Sequence, residues 1–222
     1  MIKLVIFDLD GTLLDVSERY YRSVKNALEK FGFKCSSKPE IMNLKRINLS
    51  GREIINAFIP EDTKDREKII KRIDRKRYKL LHSKKYLDLD KPFEDTCRTL
   101  EILKQKGVKM AILTLRDYKE DTMQQLEKAG LLDFFEKIVL INPRSPKKHT
   151  ELKSDYAKDI CKELKVKPDE CCMVGDSLKE LEAGSRMNAF TIGVTCGLTG
   201  KKVLAQKCNK VILSLKELLD AI

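Results

Sequence analysis

The 222-residue sequence contains no tryptophan, only two histidines and no C-x-x-C pair, and each shortage narrows the chemistry open to it. Without tryptophan, and with Tyr20, Tyr21, Tyr78 and Tyr86 forming no obvious series, the chain offers little of the aromatic platform on which single-stranded nucleic acids stack. His82 and His149 stand in no sequence relation to any cysteine, so a Cys–His pair that would activate a thiol nucleophile has no support. The seven cysteines are odd in number and irregularly spaced, and Cys171–Cys172 falls inside an apolar run that reads as a buried strand. That usage indicates reduced thiols and a cytoplasmic setting. Long hydrophobic runs are missing as well. The first, IKLVIF at 2–7, meets an acid after six residues, too short for a secretory leader or a membrane span. No internal repeat or low-complexity tract is present.

Charge, by contrast, is abundant. Charged residues make up 36% of the chain, above the roughly 25% of an average soluble domain, and the formal net charge is +11. The excess is local: residues 16–85 hold 20 Lys and Arg against 9 Asp and Glu, whereas the remainder holds 25 of each. A neutral body with one basic segment suits an anionic partner, such as a phosphorylated metabolite or a nucleic-acid backbone, or else a solvated, Lys-rich helical surface.

From residue 94 onward the hydrophobic period alternates. Helices are expected at 94–106, 118–129, 153–165 and 178–186, and strands at 108–114, 137–141, 171–176 and 190–194, with a weaker strand at 210–213 and a short closing helix. Residues 2–8 supply one further strand. Short, continuously apolar strands separated by amphipathic helices predict an α/β fold, a parallel sheet with helices on both faces. Between Asp15 and about Asp88 the strand signal vanishes, leaving helical stretches near 16–31, 38–59 and 61–82. The expected organisation is therefore a core domain of residues 1–15 and 86–222 interrupted by an all-helical domain at 16–85, which carries the whole charge excess.

Ligands of an open parallel sheet bind at the carboxyl ends of its strands. Those ends are Asp8, Thr114 and Gly175-Asp176. Asp8 and Asp10 in LVIFDLDGTL are two apart, which in an extended segment places both side chains on one side, with Gly11 turning the chain to position the second. DxDG also occurs as a plain strand exit with its acids in water. Behind four apolar residues, however, two carboxylates repel unless a proton or a cation is present. Mg²⁺ resolves that repulsion, taking a few carboxylates, water and phosphate oxygens as ligands.

At this point the chain resembles the haloacid dehalogenase superfamily of aspartate-nucleophile phosphohydrolases. VIFDLDGTLLD at 5–15, AILT at 111–114, a lysine opening a helix near 153 and VGDSLKELEAG at 174–184 occur in the family's order over nearly the whole chain. The resemblance implies a Rossmann-like sheet with an inserted helical cap, and a Mg²⁺-dependent phosphatase. On matching positions, Asp8 would be the nucleophile and Asp10 the general acid, then the base. Thr114 and the Leu115 backbone N–H would bind the phosphoryl oxygens. Asp8, the Asp10 carbonyl and Asp176 would hold the metal. Lys153, 23 residues before Asp176, would neutralise nucleophile and phosphate, with Lys147 and Lys148 as rivals.

Two departures stand out. Glu180 replaces the second Asp of the family's fourth motif and would hold a metal-bound water, leaving metal affinity in question. Leu115-Arg116 replaces a common Thr-Asn continuation, and Arg116 is expected either to contact substrate or to face solvent. Within the cap, NLSGREIINAF at 48–58 resembles the cap loop of phosphoglycolate phosphatases and β-phosphoglucomutases. There Gly51 would allow close approach and Arg52 would meet the substrate's distal group, with Arg46 and Lys45 as further candidates. The implied substrate is a small phosphorylated metabolite, phosphoglycolate-like or a sugar phosphate, with neither nucleic acid nor membrane as partner. Three other readings are a β-phosphoglucomutase-type phosphomutase, a phosphonate hydrolase using a cap lysine, and a basic module acting on polynucleotide ends. A dehalogenase is disfavoured, since that branch has no need of Asp10.

Overall fold

The computed structural model describes residues 1–116 and 118–222. The chain begins with β1 (Leu4–Phe7) and β2 (Leu14–Asp15), followed by five helices: α1 (Ser17–Lys30), α2 (Lys38–Arg46), α3 (Gly51–Ala57), α4 (Arg66–Leu81) and α5 (Lys84–Leu87). Next come β3 (Lys91–Pro92), α6 (Thr96–Gln105), β4 (Lys109–Thr114), α7 (Lys119–Lys128), β5 (Lys137–Leu140) and α8 (His149–Glu163). The chain closes with β6 (Cys171–Gly175), α9 (Leu178–Arg186), β7 (Phe190–Val194), α10 (Lys201–Leu204), β8 (Lys210–Ile212) and a final 3₁₀ turn at Leu215–Asp220. Two compact units result, Met1–Asp15 with Lys91–Ile222, and Val16–Asp90.

The first unit holds a six-stranded sheet in the order β5-β4-β1-β6-β7-β8, parallel throughout. Both faces are covered, which accounts for strands that are apolar without alternation. Leu4 and Ile6 of β1, Ala111 and Leu113 of β4, and Cys171 and Met173 of β6 share one face with Ala157, Ile160 and Cys161 of α8 and Ala183 and Met187 of α9. Val5, Phe7, Met110, Ile112, Cys172 and Val174 alternate with them and are equally buried. Each buried Leu, Ile, Val, Met or Phe among them contributes about 1.5–3 kcal/mol of burial free energy. The chain leaves β1 toward β4 on one side and later returns to β6 on the other, so strand order reverses at β1. An α/β sheet opens its ligand crevice at that reversal.

The helical unit is stitched by its own polar contacts. Arg19 and Asp90 form a buried ion pair at 3.0 Å, and Asn26 donates to the Tyr86 hydroxyl at 2.6 Å. These bonds tie residues 86–90 to the helices, so the division falls after Asp90, five residues beyond the expected boundary. The helical stretch expected near 38–59 is made of two helices, α2 and α3. Between them Asn48 adopts a positive φ of 69°, and Ser50 starts α3 with a capping box, its N–H donating to Glu53 at 2.7 Å. Among the described residues no helix is long and apolar enough to cross a membrane.

Candidate active site

Alternation along β1 assigns the site's first residue. Leu4, Ile6 and then Asp8 project to the face covered by α8 and α9. The core-facing stripe of α8 runs Lys153, Ala157, Ile160 and Cys161, and that of α9 runs Glu180, Ala183, Gly184 and Met187, both at helical spacing. The first residue of each stripe is charged and buried, and both meet Asp8. Lys153 Nζ donates to Asp8 Oδ1 at 2.8 Å and to Glu180 Oε1, while the Ser177 hydroxyl donates to Glu180 Oε2.

Register places the other strand ends beside them. Phe7 pairs with Ile112 on one side and Val174 on the other, so Thr114 and Asp176 each stand two residues beyond a partner of Phe7. The Asp8 backbone N–H continues the ladder to Val174 at 2.9 Å. Asp8, Asp176 and Glu180 bring one carboxylate oxygen each within 4.8 Å of one another. Asp176 accepts the Leu198 N–H at 2.7 Å. Gly11 and Gly197 flank its carboxylate so closely that a Cβ on either would overlap it. Gly11 also needs its positive φ of 77° to turn the chain after Asp10.

Asp10 follows a different course. Beyond Phe7 the chain coils, Leu9 C=O accepting N–H bonds from Thr12, Leu13 and Leu14, and the Asp10 carboxylate goes to Arg116 rather than Lys153. Arg116 Nε lies 3.4 Å from Asp10 Oδ2 and Nη2 contacts Oδ1, while Nη1 donates to Gln125 of α7 at 2.5 Å. At 3% exposure, Arg116 is not the solvent-facing side chain that was one of its two expected states. The pairing shared by Nε and Nη2 accounts for its burial.

The remaining sequence candidates take clear places. Thr114 is buried and ends β4, its carbonyl accepting from Ile141 at 2.8 Å. Leu115 packs partly buried against the sheet core. Lys153 does not open its helix: α8 starts four residues earlier at His149, so Lys153 lies in the second turn. Lys147 pairs instead with Asp155 at 3.7 Å on the surface, and Lys148 is the exposed cap residue of α8. In the helical unit, Lys45 lies 5.5 Å over the Tyr20 ring and donates to Leu49 C=O at 3.3 Å. Arg46 is exposed in the last turn of α2, and Arg52 pairs with Glu67. What approaches Gly51 closely is the Arg77 guanidinium, itself bonded to Asp74 at 2.8 Å, rather than open space for a ligand.

Electrostatics sharpen the cluster. Burial pushes the Asp8 carboxyl up to about 7, with Lys153 opposing the rise and Glu180 and Asp10 adding to it. Burial opposes ionisation of Glu180 too, but Lys153 prevails and holds it below the usual carboxylate range. Lys153 is raised despite burial, because Asp8 and Glu180 both favour its charged form. The donor set is all oxygen, and one ammonium bridges two of three clustered carboxylates. A hard divalent cation fits such a set. The cysteines are free. Cys196 is pushed up to about 12, mainly by burial with Asp95 and Asp176 adding to it, and so stays a thiol.

Ser177 and Gln125 were missed from sequence. For Ser177 the signal was present, since Ser177-x-x-Glu180 at the start of α9 is a capping pattern. Gln125 carries no motif.

Comparison with known proteins identifies the family. The family model described as haloacid dehalogenase-like hydrolase matches residues 5–194. A relative named PpaX from Clostridium perfringens is 32% identical over 196 residues, covering 87% of this chain and 84% of its own. The pyrophosphatase PpaX of Bacillus pumilus is 27% identical over 204 residues, covering 91% and 88%. Among solved structures, a predicted phosphatase from Clostridium acetobutylicum superposes with a TM-score of 0.74 at 24% identity, covering 100% of this chain and 98% of its own. That last likeness speaks to fold.

Proposed function

Because the chain belongs to the haloacid dehalogenase-like hydrolase family, we propose that it hydrolyses a small phosphorylated compound through an aspartyl-phosphate on Asp8. The observation that carries this reading is the meeting of Asp8, Asp176 and Glu180 within 4.8 Å, with Lys153 bonded to Asp8. An Asp8 carboxylate oxygen attacks phosphorus, and the bond from phosphorus to the leaving oxygen breaks. Asp10 gives a proton to that oxygen. It then takes one from the water that attacks the acyl phosphate, so inorganic phosphate leaves and Asp8 is regenerated.

Thr114 and the Leu115 N–H bind the phosphoryl oxygens, and Lys153 neutralises charge shared between Asp8 and the phosphate. Asp8, Asp176 and the Asp10 carbonyl would hold Mg²⁺, with Glu180 supporting a bound water. When bound, the ion favours ionised Asp8 and screens it from the phosphate. The helical unit, with Lys45, Arg46 and Arg52 as candidate anion contacts, is assigned the discrimination among substrates. The reduced cysteines suit a cytoplasmic setting.

The PpaX relatives make inorganic pyrophosphate the first compound to assay, beside phosphoglycolate and sugar phosphates. In a Mg²⁺-containing screen, wild-type protein should release inorganic phosphate from at least one, and Asp8→Asn should release none while keeping its circular dichroism spectrum. Turnover by Asp8→Asn above a few per cent of wild type would remove the nucleophile assignment. Transfer of the phosphoryl group to a sugar without phosphate release would contradict hydrolysis.

A further inference from the structure

Arg116 lies outside the carboxylate cluster and takes no step in the chemistry above, but the carboxylate it pairs with is that of Asp10, the proton donor and acceptor. Arg116 follows β4 by two residues, and its guanidinium reaches Asp10 through both Nε and Nη2. Its third corner is held by Gln125 Oε1 at 2.5 Å, from the second turn of α7. The guanidinium is thus 3% exposed and anchored from two sides, by Asp10 and by Gln125. Asp10 is the more exposed partner, its side chain at 29%, so the fixed group is the arginine. A two-pronged guanidinium contact sets the plane of a carboxylate as well as its position.

We propose that Arg116, braced by Gln125, is the positioning residue that holds the Asp10 carboxyl in the orientation from which it serves the leaving oxygen. The inference rests on the phosphatase reading and deepens it. Asp10 lies in the turn that follows β1, and its carboxyl has two side-chain torsions to set. Arg116 supplies the restraint from β4, across 106 residues of sequence. The substituted Thr-Asn continuation thereby acquires a purpose: its second position carries the brace.

Leaving-group dependence tests this, because a proton donor matters for an alkoxide and hardly at all for a nitrophenolate. For Arg116→Met, kcat/KM toward an alkyl phosphate should fall about 10²-fold, the scale on which misplacement of a catalytic group slows an enzyme. The value toward p-nitrophenyl phosphate should stay within a few-fold of wild type. Gln125→Leu, a milder change should Arg116→Met fold poorly, should move the two substrates apart in the same direction by less. Arg116→Lys, which lacks the fork, should recover only part of the alkyl phosphate rate. In an Asp10→Asn background, Arg116→Met should add no further loss. Equal losses toward both esters, or no loss toward either, in an active and folded enzyme would overturn the brace alone. A wild-type protein that releases phosphate from neither ester would remove the phosphatase reading, and the brace with it.

Discussion

Lys153 places one positive charge between two buried carboxylates, and its removal would leave both without that partner. Breaking a buried ion pair from one side costs about 3–5 kcal/mol, whereas removing both partners costs far less. Lys153→Met should therefore lower the free energy of urea unfolding by about that amount, and Lys153→Met with Glu180→Leu should regain part of it. An unchanged midpoint for the single variant would show that the ammonium is not stabilising the cluster. Residues of this kind were unevenly legible. Lys153 and Asp176 sit in motifs whose family order announces them, so the sequence named both although Lys153 meets Asp8 across 145 residues. Arg116 carries no such signal. Its fate depends on which side chain occupies the coil after β1, and side-chain partners across 106 residues leave no trace in periodicity or spacing.

Among the elements, α9 is the one most tightly constrained by what it packs on. Its Gly184 faces β6 and β7, where a Cβ would meet Thr191 Cγ2 at 2.6 Å and Met173 Cβ at 3.0 Å. Replacing a helical glycine by alanine usually gains up to about 1 kcal/mol of helix propensity, but overpacking a core costs about 1–3 kcal/mol. The overlap is with a stiff β-branched side chain, so the penalty wins. Gly184→Ala should lower the thermal midpoint, and Gly184→Val should lower it further. A rise with alanine would mean that α9 can lift off the sheet freely. Strands were the most legible elements, since an unbroken apolar run has a clear end, and β4 ends at Thr114 as expected. Helix starts were less so. The first turn of α8, His149 to Leu152, has no apolar stripe, and the break before α3 rests on Asn48 and the Ser50 cap. The pair β2–β3 spans two residues on each strand, too short for any period to register.

For the whole molecule, the α/β class follows from the alternation of apolar strands and amphipathic helices, but strand order does not. Only the paired registers show β1 flanked by β4 and β6, and that neighbourhood is what brings the ends of three strands to one crevice. Most of the excess positive charge lies in the helical unit, whose residues 16–90 hold 20 Lys and Arg against 11 Asp and Glu, whereas the sheet unit is close to neutral. Asp8 stands at the centre of that arrangement, facing α8 and α9 from the middle of the sheet. The most direct test is to quench the enzyme in acid during turnover of a substrate carrying a radiolabelled phosphoryl group and to map the label by peptide mass spectrometry. The account predicts a hydroxylamine-labile phosphoryl group on the peptide containing Asp8, absent from Asp8→Asn. Label on another residue, or steady phosphate release with no labelled protein at any quench time, would contradict it.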